Sequence, residues 1–231
     1  MLFRSDLIQG YLDQEVMEEL VRHAPTDRGT PQGAVISPLL ANIYLDPFDH
    51  LMAAEGFQLV RYADDFVVLC RSREEAQRAL ARVQTWVEEN GLTLHPEKTR
   101  LVDLGQPGGF DFLGYHFEQG QRWPRRKAMI QLRDTVRKLT PRTSGVSLEE
   151  TIAGLNEVLR GWFGYFQHSR RRVFPEVDGY VRGRLRSILR KRAGGRGRSR
   201  GPDHQRWRNR YFDELGLFSL AQAHASACQS P

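Results

Sequence analysis

The sequence predicts an α+β fold in two parts. Residues 1–120 should form an antiparallel sheet with packed helices, and residues 121–231 an all-α half. One observation is the alternation of short β-rich runs, at 57–62, 66–70 and 110–117, with helical stripes. Another is charge. Residues 1–120 hold 10 Lys and Arg against 19 Asp and Glu, whereas residues 121–231 hold 24 against 9. A swing of that size marks two modules with different jobs. The basic half suits nucleic acid, because Lys and Arg that neutralise phosphates release counterions. The bland alternative is a solvated basic surface.

In chain order, LIQGYLDQEVMEELVRH predicts a helix over residues 1–24 from Leu12, Val16, Leu20 and Val21. Pro25, Gly29, Pro31 and Gly33 then make a turn-rich stretch. A second helix runs from Ser37 to about Ala54, with Ser37 as N-cap, Pro38 first in the helix, and Leu39, Leu40, Ile43 and Tyr44 apolar. FQLVRY (57–62) and FVVLC (66–70) flank Ala-Asp-Asp and predict a hairpin. Ala76, Leu80, Val83 and Val87 predict a helix over 74–89 that Asn90-Gly91 stops. Residues 92–104 read as extended, and FDFLGYHF (110–117) as strand with a tight turn at Gly114.

The basic half holds a helix over 148–168, with Ile152, Leu155, Leu159, Trp162, Phe163 and Phe166 on one broad face. Trp162 and Phe163 are expected in the core rather than as platforms for bases. The next helix, 173–192, buries Val177, Val181, Leu185 and Leu189, and sets Arg182, Arg186 and Arg190 in one row beside that stripe. AGGRGRSRGP (193–202) reads as low-complexity, basic and mobile. In the tail, Trp207, Tyr211, Phe212, Leu217 and Phe218 are expected to pack back onto the helices.

Several classes are disfavoured. No apolar run reaches the roughly 18 residues of a membrane span. MLFRSDLIQGYLDQEV has no signal-peptide core. Cys70 and Cys228 lie far apart, which predicts reduced thiols in a cytoplasmic protein and no zinc site. His224 and Cys228 read as a helical end.

The chemically informative stretch is RYADDFVVL (61–69). Two adjacent anions in a buried strand would cost several kcal/mol each without compensation. In a regular strand, neighbours face opposite sides. At a hairpin tip, Asp64 and Asp65 reach one solvent-facing cleft, where Mg²⁺ would neutralise them and still bind substrate phosphates. Two such ions clamp both oxygens of a phosphoryl transfer. The alternative is a solvated Asp-Asp turn.

RYADDFVVL resembles the YxDD catalytic turn of reverse transcriptases. GTPQGAVISPLLANIYL (29–45) resembles the segment before that turn in the enzymes encoded by bacterial group II introns, and GLTLHPEKTRLV (91–102) the segment after it. FDFLGYHF resembles their primer grip. LNEVLRGWFGYFQHS and DGYVRGRLRSILRKR resemble the thumb-like maturase domain, domain X. The resemblance implies a partial reverse-transcriptase palm over 1–120 and an α-helical thumb/maturase domain over 121–231. It implies RNA-templated DNA synthesis and binding of intron RNA that promotes splicing.

By the same resemblance, Asp64 and Asp65 are catalytic and hold Mg²⁺. Tyr62, Gln32, Gly33 and Lys98 lie near nucleotide and template, and Phe112, Leu113 and Gly114 form the primer grip. Arg160, Arg170, Arg171, Arg172, Arg182, Arg186 and Arg190 contact RNA. The implied partners are intron RNA, an RNA/DNA primer-template, deoxynucleoside triphosphates and, as an open option, a separate N-terminal fragment, with no membrane.

The sequence also departs from the family. The family's third carboxylate ends an apolar strand. Before Thr30 only Asp6, Asp13 and Asp27 occur, and none ends such a run. The fingers are missing as well, so the chain is expected to be the C-terminal portion of a longer enzyme, inactive alone. The alternatives are a non-catalytic intron RNA-binding maturase module, a degenerate remnant, or another reverse-transcriptase lineage, against which the maturase-like tail argues.

Overall fold

The computed structural model describes residues 36–143 and 145–229, with the backbone of 16–18 and 21–23. Two short strands, β1 (Val16–Glu18) and β2 (Val21–His23), pair antiparallel, with Met17 opposite Arg22. At these two stretches the predicted N-terminal helix gives way to strands, and the rest of residues 1–24 lies outside the described residues. Its four-residue apolar stripe was short, and Val16 and Val21 favour extended backbone. The chain divides into two compact units, 1–101 and 102–231.

In the first unit, α1 (Ser37–Ala54) starts one residue earlier than its cap suggested. Ile36 is the N-cap, Ser37 is already helical, and Pro38 occupies the first turn. Pro47, inside the helix, offers no N–H to the carbonyl four residues back. The predicted apolar face is also displaced. Leu39, Ile43 and Tyr44 are exposed, while Phe48 and Met52 are buried. Strands β3 (Gln58–Tyr62) and β4 (Asp65–Leu69) form the expected hairpin. Helix α2 (Arg73–Glu89) starts where the Ser72 hydroxyl accepts from Glu75 N–H and ends at Asn90. Phe48, Met52, Ala79, Val83, Trp86 and Val87 close the core over Leu59, Phe66 and Val68 of the hairpin. Residues 92–103 make no ladder. Instead His95 O accepts from Lys98 and Thr99 N–H in a turn, where Pro96 cannot donate to a strand partner.

The second unit opens with a meander, β5 (Phe110–Phe112), β6 (Tyr115–Glu118) and β7 (Gln121–Pro124). Both connections are two-residue turns with positive φ throughout: Leu113 and Gly114 at 46° and 81°, Gln119 and Gly120 at 48° and 70°. That is the primed geometry that suits strand twist. The change of charge near residue 121 thus falls inside the meander. Helices α3 (Arg126–Leu139), α4 (Leu148–Phe166) and α5 (Val173–Arg192) follow. Three short helices complete the unit: α6 (Gly201–Arg206), α7 (Asn209–Glu214) and α8 (Leu220–Ala227).

The core takes Leu132 and Val136 from α3, Ile152, Leu155 and Leu159 from α4, and Phe174, Val181 and Leu185 from α5. Phe212, Leu217 and Leu220 from the tail fill its remaining side, and Trp162, Phe163, Trp207 and Phe218 pack against it. The tail thus docks as its aromatic content suggests. Residues 193–200 are hydrogen-bonded to α5. Ser199 N–H donates to Ser187 Oγ at 3.2 Å, Ser199 Oγ to Gly183 O at 3.3 Å, and Arg190 Nε to Arg196 O at 3.0 Å. Composition hid these small-residue contacts with α5.

Candidate active site and nucleic-acid interface

The β3–β4 register places Tyr62 opposite Asp65, so the turn consists of Ala63 and Asp64 alone. Asp65 is the first residue of β4. Strand alternation puts Leu59, Arg61, Phe66 and Val68 on the inner face, and Val60, Tyr62, Asp65 and Val67 on the outer face. Asp64 and Asp65 are both exposed. Ala63 holds φ at 52°, a left-handed conformation that costs a non-glycine residue roughly 1–2 kcal/mol. The tip is therefore held in place by something else.

Arg61 does this. Its Nε donates to Asp49 Oδ1 at 2.7 Å, and its Nη2 donates to Asp49 Oδ2. Its Nη1 donates to Asn42 Oδ1 at 2.9 Å and to the Ala63 carbonyl at 2.9 Å. One guanidinium thus ties α1 to the turn that carries the acid pair. Its hydrogen bond with Asp49 raises its pKa above the ordinary arginine value against the opposing cost of burial. Sequence reasoning missed this clamp. The available signal was an arginine on the inward phase of a strand, with apolar Leu59 two residues earlier. Changing Asp49 to Ala leaves the Arg61 fork unpaired and should cost about 2–3 kcal/mol in chemical denaturation. An unchanged midpoint would show that the clamp contributes nothing.

Gln32 and Gly33 lie outside the described residues. Lys98 is exposed in the loop after α2. Phe112 ends β5, and Leu113 and Gly114 form the first meander turn. Tyr165 Oη donates to Leu113 O at 2.7 Å, and Arg125 N–H to Gly114 O at 2.9 Å, so the turn is fastened to α4 and to the entry of α3.

The arginines divide into groups. Arg171 and Arg172 are exposed at the start of α5. Arg160 lies 4.6 Å over the Phe218 ring and Arg170 3.8 Å over Trp123. The row on α5 faces the tail. Arg182 reaches Asp213 at 3.3 Å. Arg186, 3% exposed, donates to Trp207 O at 2.8 Å and Asn209 Oδ1 at 2.7 Å. Arg190 pairs with Asp203 at 2.9 Å. Beside them, buried Asp178 accepts from Ser219 Oγ and from Leu220 and Ala221 N–H, capping α8. The Asp203 carboxyl is held below the ordinary carboxylate range, first by its hydrogen bond from Arg200 N–H and then by Arg190.

Among the described residues no group of three or more His, Cys, Asp or Glu stands together as a metal cluster, and no helix is long and apolar enough to cross a membrane. The acid pair by itself fits Mg²⁺, which takes one or two carboxylates and completes its shell with water and phosphate oxygens.

The described residues thus present an exposed acid pair at the tip of an antiparallel hairpin in the first unit, and a helical second unit rich in arginine. Residues 2–117, just over half of the chain, match the family model described as reverse transcriptase (RNA-dependent DNA polymerase), and the chain belongs to that family. Residues 129–211 match the group II intron, maturase-specific domain.

Among curated proteins, the chain is 33% identical over 102 residues to the Retrovirus-related Pol polyprotein from type-1 retrotransposable element R2 of Nasonia vitripennis, covering 41% of this chain and 10% of that protein. It is 34% identical over 101 residues to the Retron Mx162 reverse transcriptase of Myxococcus xanthus, covering 38% and 21%. It is 30% identical over 89 residues to the Telomerase reverse transcriptase of Oryzias latipes, covering 37% and 8%. The matches thus span about a fifth or less of each relative's length.

Proposed function

We propose that this chain supplies the YADD turn and the maturase part of a group II intron reverse transcriptase. Its first unit contributes part of the palm, and its helical unit serves as the thumb and maturase domain. The observation that carries this reading is the exposed Asp64–Asp65 tip, fixed by Arg61 despite the strain at Ala63. Asp64 and Asp65 hold Mg²⁺, which supplies charge neutralisation and orientation for adding a deoxynucleotide to a primer 3′-hydroxyl. Tyr62, on the same face as Asp65, lies against the nucleotide or template, together with Gln32, Gly33 and Lys98. The Leu113–Gly114 turn, with Phe112, holds the primer end. Most of this catalysis is positioning.

The basic unit binds intron RNA and stabilises its folded form. Arg160, Arg170, Arg171 and Arg172 are its outward members among the arginines singled out by sequence. A second reading, a non-catalytic RNA-binding module, is favoured by the match of residues 129–211 to the maturase-specific domain, whose basic helical surface needs no acid pair to bind RNA. On either reading the isolated chain should show little or no primer extension, and the protein works in the cytoplasm.

Binding of a group II intron transcript to the full chain, followed across 50–200 mM salt, tests the RNA role. A log–log slope of about −4 or steeper is expected, as roughly six phosphate contacts would give. A flat slope would refute it. Replacing Asp64 and Asp65 by Ala should leave that slope unchanged.

A further inference from the structure

The α5 row at Arg182, Arg186 and Arg190 is engaged with the tail, yet the helical unit carries many more cations. Residues 179–202 contain nine Lys and Arg and no Asp or Glu. The flanking acids, Asp178 and Asp203, are buried and already hydrogen-bonded.

Three segments distant in sequence bring the other arginines together. Arg184 crosses from α5 to the end of α3, where its Nε donates to Thr140 Oγ1 at 2.9 Å and its Nη2 to Thr140 O at 2.6 Å. It thereby satisfies a carbonyl at a helix C-terminus, where a cation is favourable. Arg137 and Arg142 flank Thr140, and both are exposed. Arg192 donates to Val146 O, which ties the α3–α4 connection to the end of α5. Ser199, fastened to Gly183 and Ser187, folds the 193–200 loop back along α5 and carries exposed Arg198 with it.

Arg184 feels the other three guanidiniums. Arg184 is held below the ordinary arginine range first by burial, with Tyr180 opposing and Arg142, Arg137 and Arg198 adding to the shift. Asp134, paired with Arg137, offsets part of the charge. Neither Arg142 nor Arg198 makes a hydrogen bond or ion pair with the described residues. Gathering like charges destabilises a fold, so such a cluster implies an anion that repays the cost.

We propose that Arg137, Arg142, Arg184 and Arg198 form a phosphate-binding cluster that receives the sugar–phosphate backbone of folded RNA, and that the α5 row of Arg182, Arg186 and Arg190 lies outside it. The proposal rests on the RNA-binding reading and adds its location. Guanidinium forks grip phosphate oxygens bidentately, which lysines cannot. A lipid surface fits less well. It would want an apolar face to insert, and among the described residues from 137 to 146 Leu139 and Val146 are the exposed large apolar side chains.

The test uses the full chain and a fluorescent group II intron transcript. Arg142→Gln with Arg198→Gln should weaken binding at least about tenfold at physiological salt and make the salt slope shallower by about two. Arg73→Gln with Arg78→Gln, exposed in the first unit, changes net charge equally and should have less than about a twofold effect. Arg142→Lys with Arg198→Lys should keep the slope while losing part of the affinity. Melting curves of the variants should overlay that of the wild type.

If the wild type binds and R142Q/R198Q binds equally well, the cluster is wrong and the RNA reading stands. Equal losses in the two Gln pairs would reduce the effect to net charge and also overturn it. If the wild type does not bind, the RNA reading fails first. Binding to phosphatidylserine vesicles that is lost in R142Q/R198Q, with RNA binding intact, would reassign the cluster to lipid headgroups.

Discussion

Changing Asp64 and Asp65 together to Asn is expected to reduce nucleotide addition to background in any preparation where this chain completes an active polymerase. Single-turnover primer extension would read it. The expectation follows from position. Both side chains are exposed at the tip of a hairpin whose inner face is packed and whose turn is clamped, so they are held toward solvent rather than used in the fold. Asn keeps the shape and removes the charge that a hard cation needs. The melting temperature should move by no more than ~2 °C, because exposed substitutions away from structural features cost little. Loss of activity with a large fall in stability would mean that the pair is structural. Undiminished activity would remove it from the chemistry.

Arg186→Met should lower stability by about 3–4 kcal/mol and the melting temperature by roughly 10 °C, read by calorimetry or circular dichroism. The guanidinium is buried against Phe212, 5.2 Å from the ring centroid, and bonds the Trp207 carbonyl and Asn209. Burial, and then Arg182, hold it below the ordinary arginine range. Met fills the stem's volume but leaves the Trp207 carbonyl and the Asn209 amide oxygen without this donor, and the tail helices lose their anchor. RNA affinity measured well below the melting transition should change by less than twofold. Weakened RNA binding with an unchanged melting curve would return Arg186 to the interface.

These two cases show what the sequence made legible. The acid hairpin could be read because alternation and the Ala-Asp-Asp break are local. Helices α2, α4 and α5 could be read because their apolar stripes persist over several turns. The role of the arginine row could not. Spacing places Arg182, Arg186 and Arg190 on one line, but whether that line meets water or protein depends on residues 203–221. The Arg61–Asp49 clamp and the Arg184 cap of α3 escaped for the same reason, since each joins residues whose pairing only the fold decides. At the N-terminus, Val16 and Val21 satisfied a helical spacing while favouring extended backbone, and too few apolar residues followed to decide between the two. The anchors of residues 193–200 were not legible because they are two serines, the Arg190 guanidinium and backbone groups, which leave no compositional mark.

The most direct measurement is a calorimetric titration of Mg²⁺ into the full chain bound to an RNA template, DNA primer and matching deoxynucleotide, beside the same titration of D64N/D65N. The account predicts saturable uptake by the wild type that the variant lacks, with template affinity equal in both. Identical heats from the two proteins would contradict it.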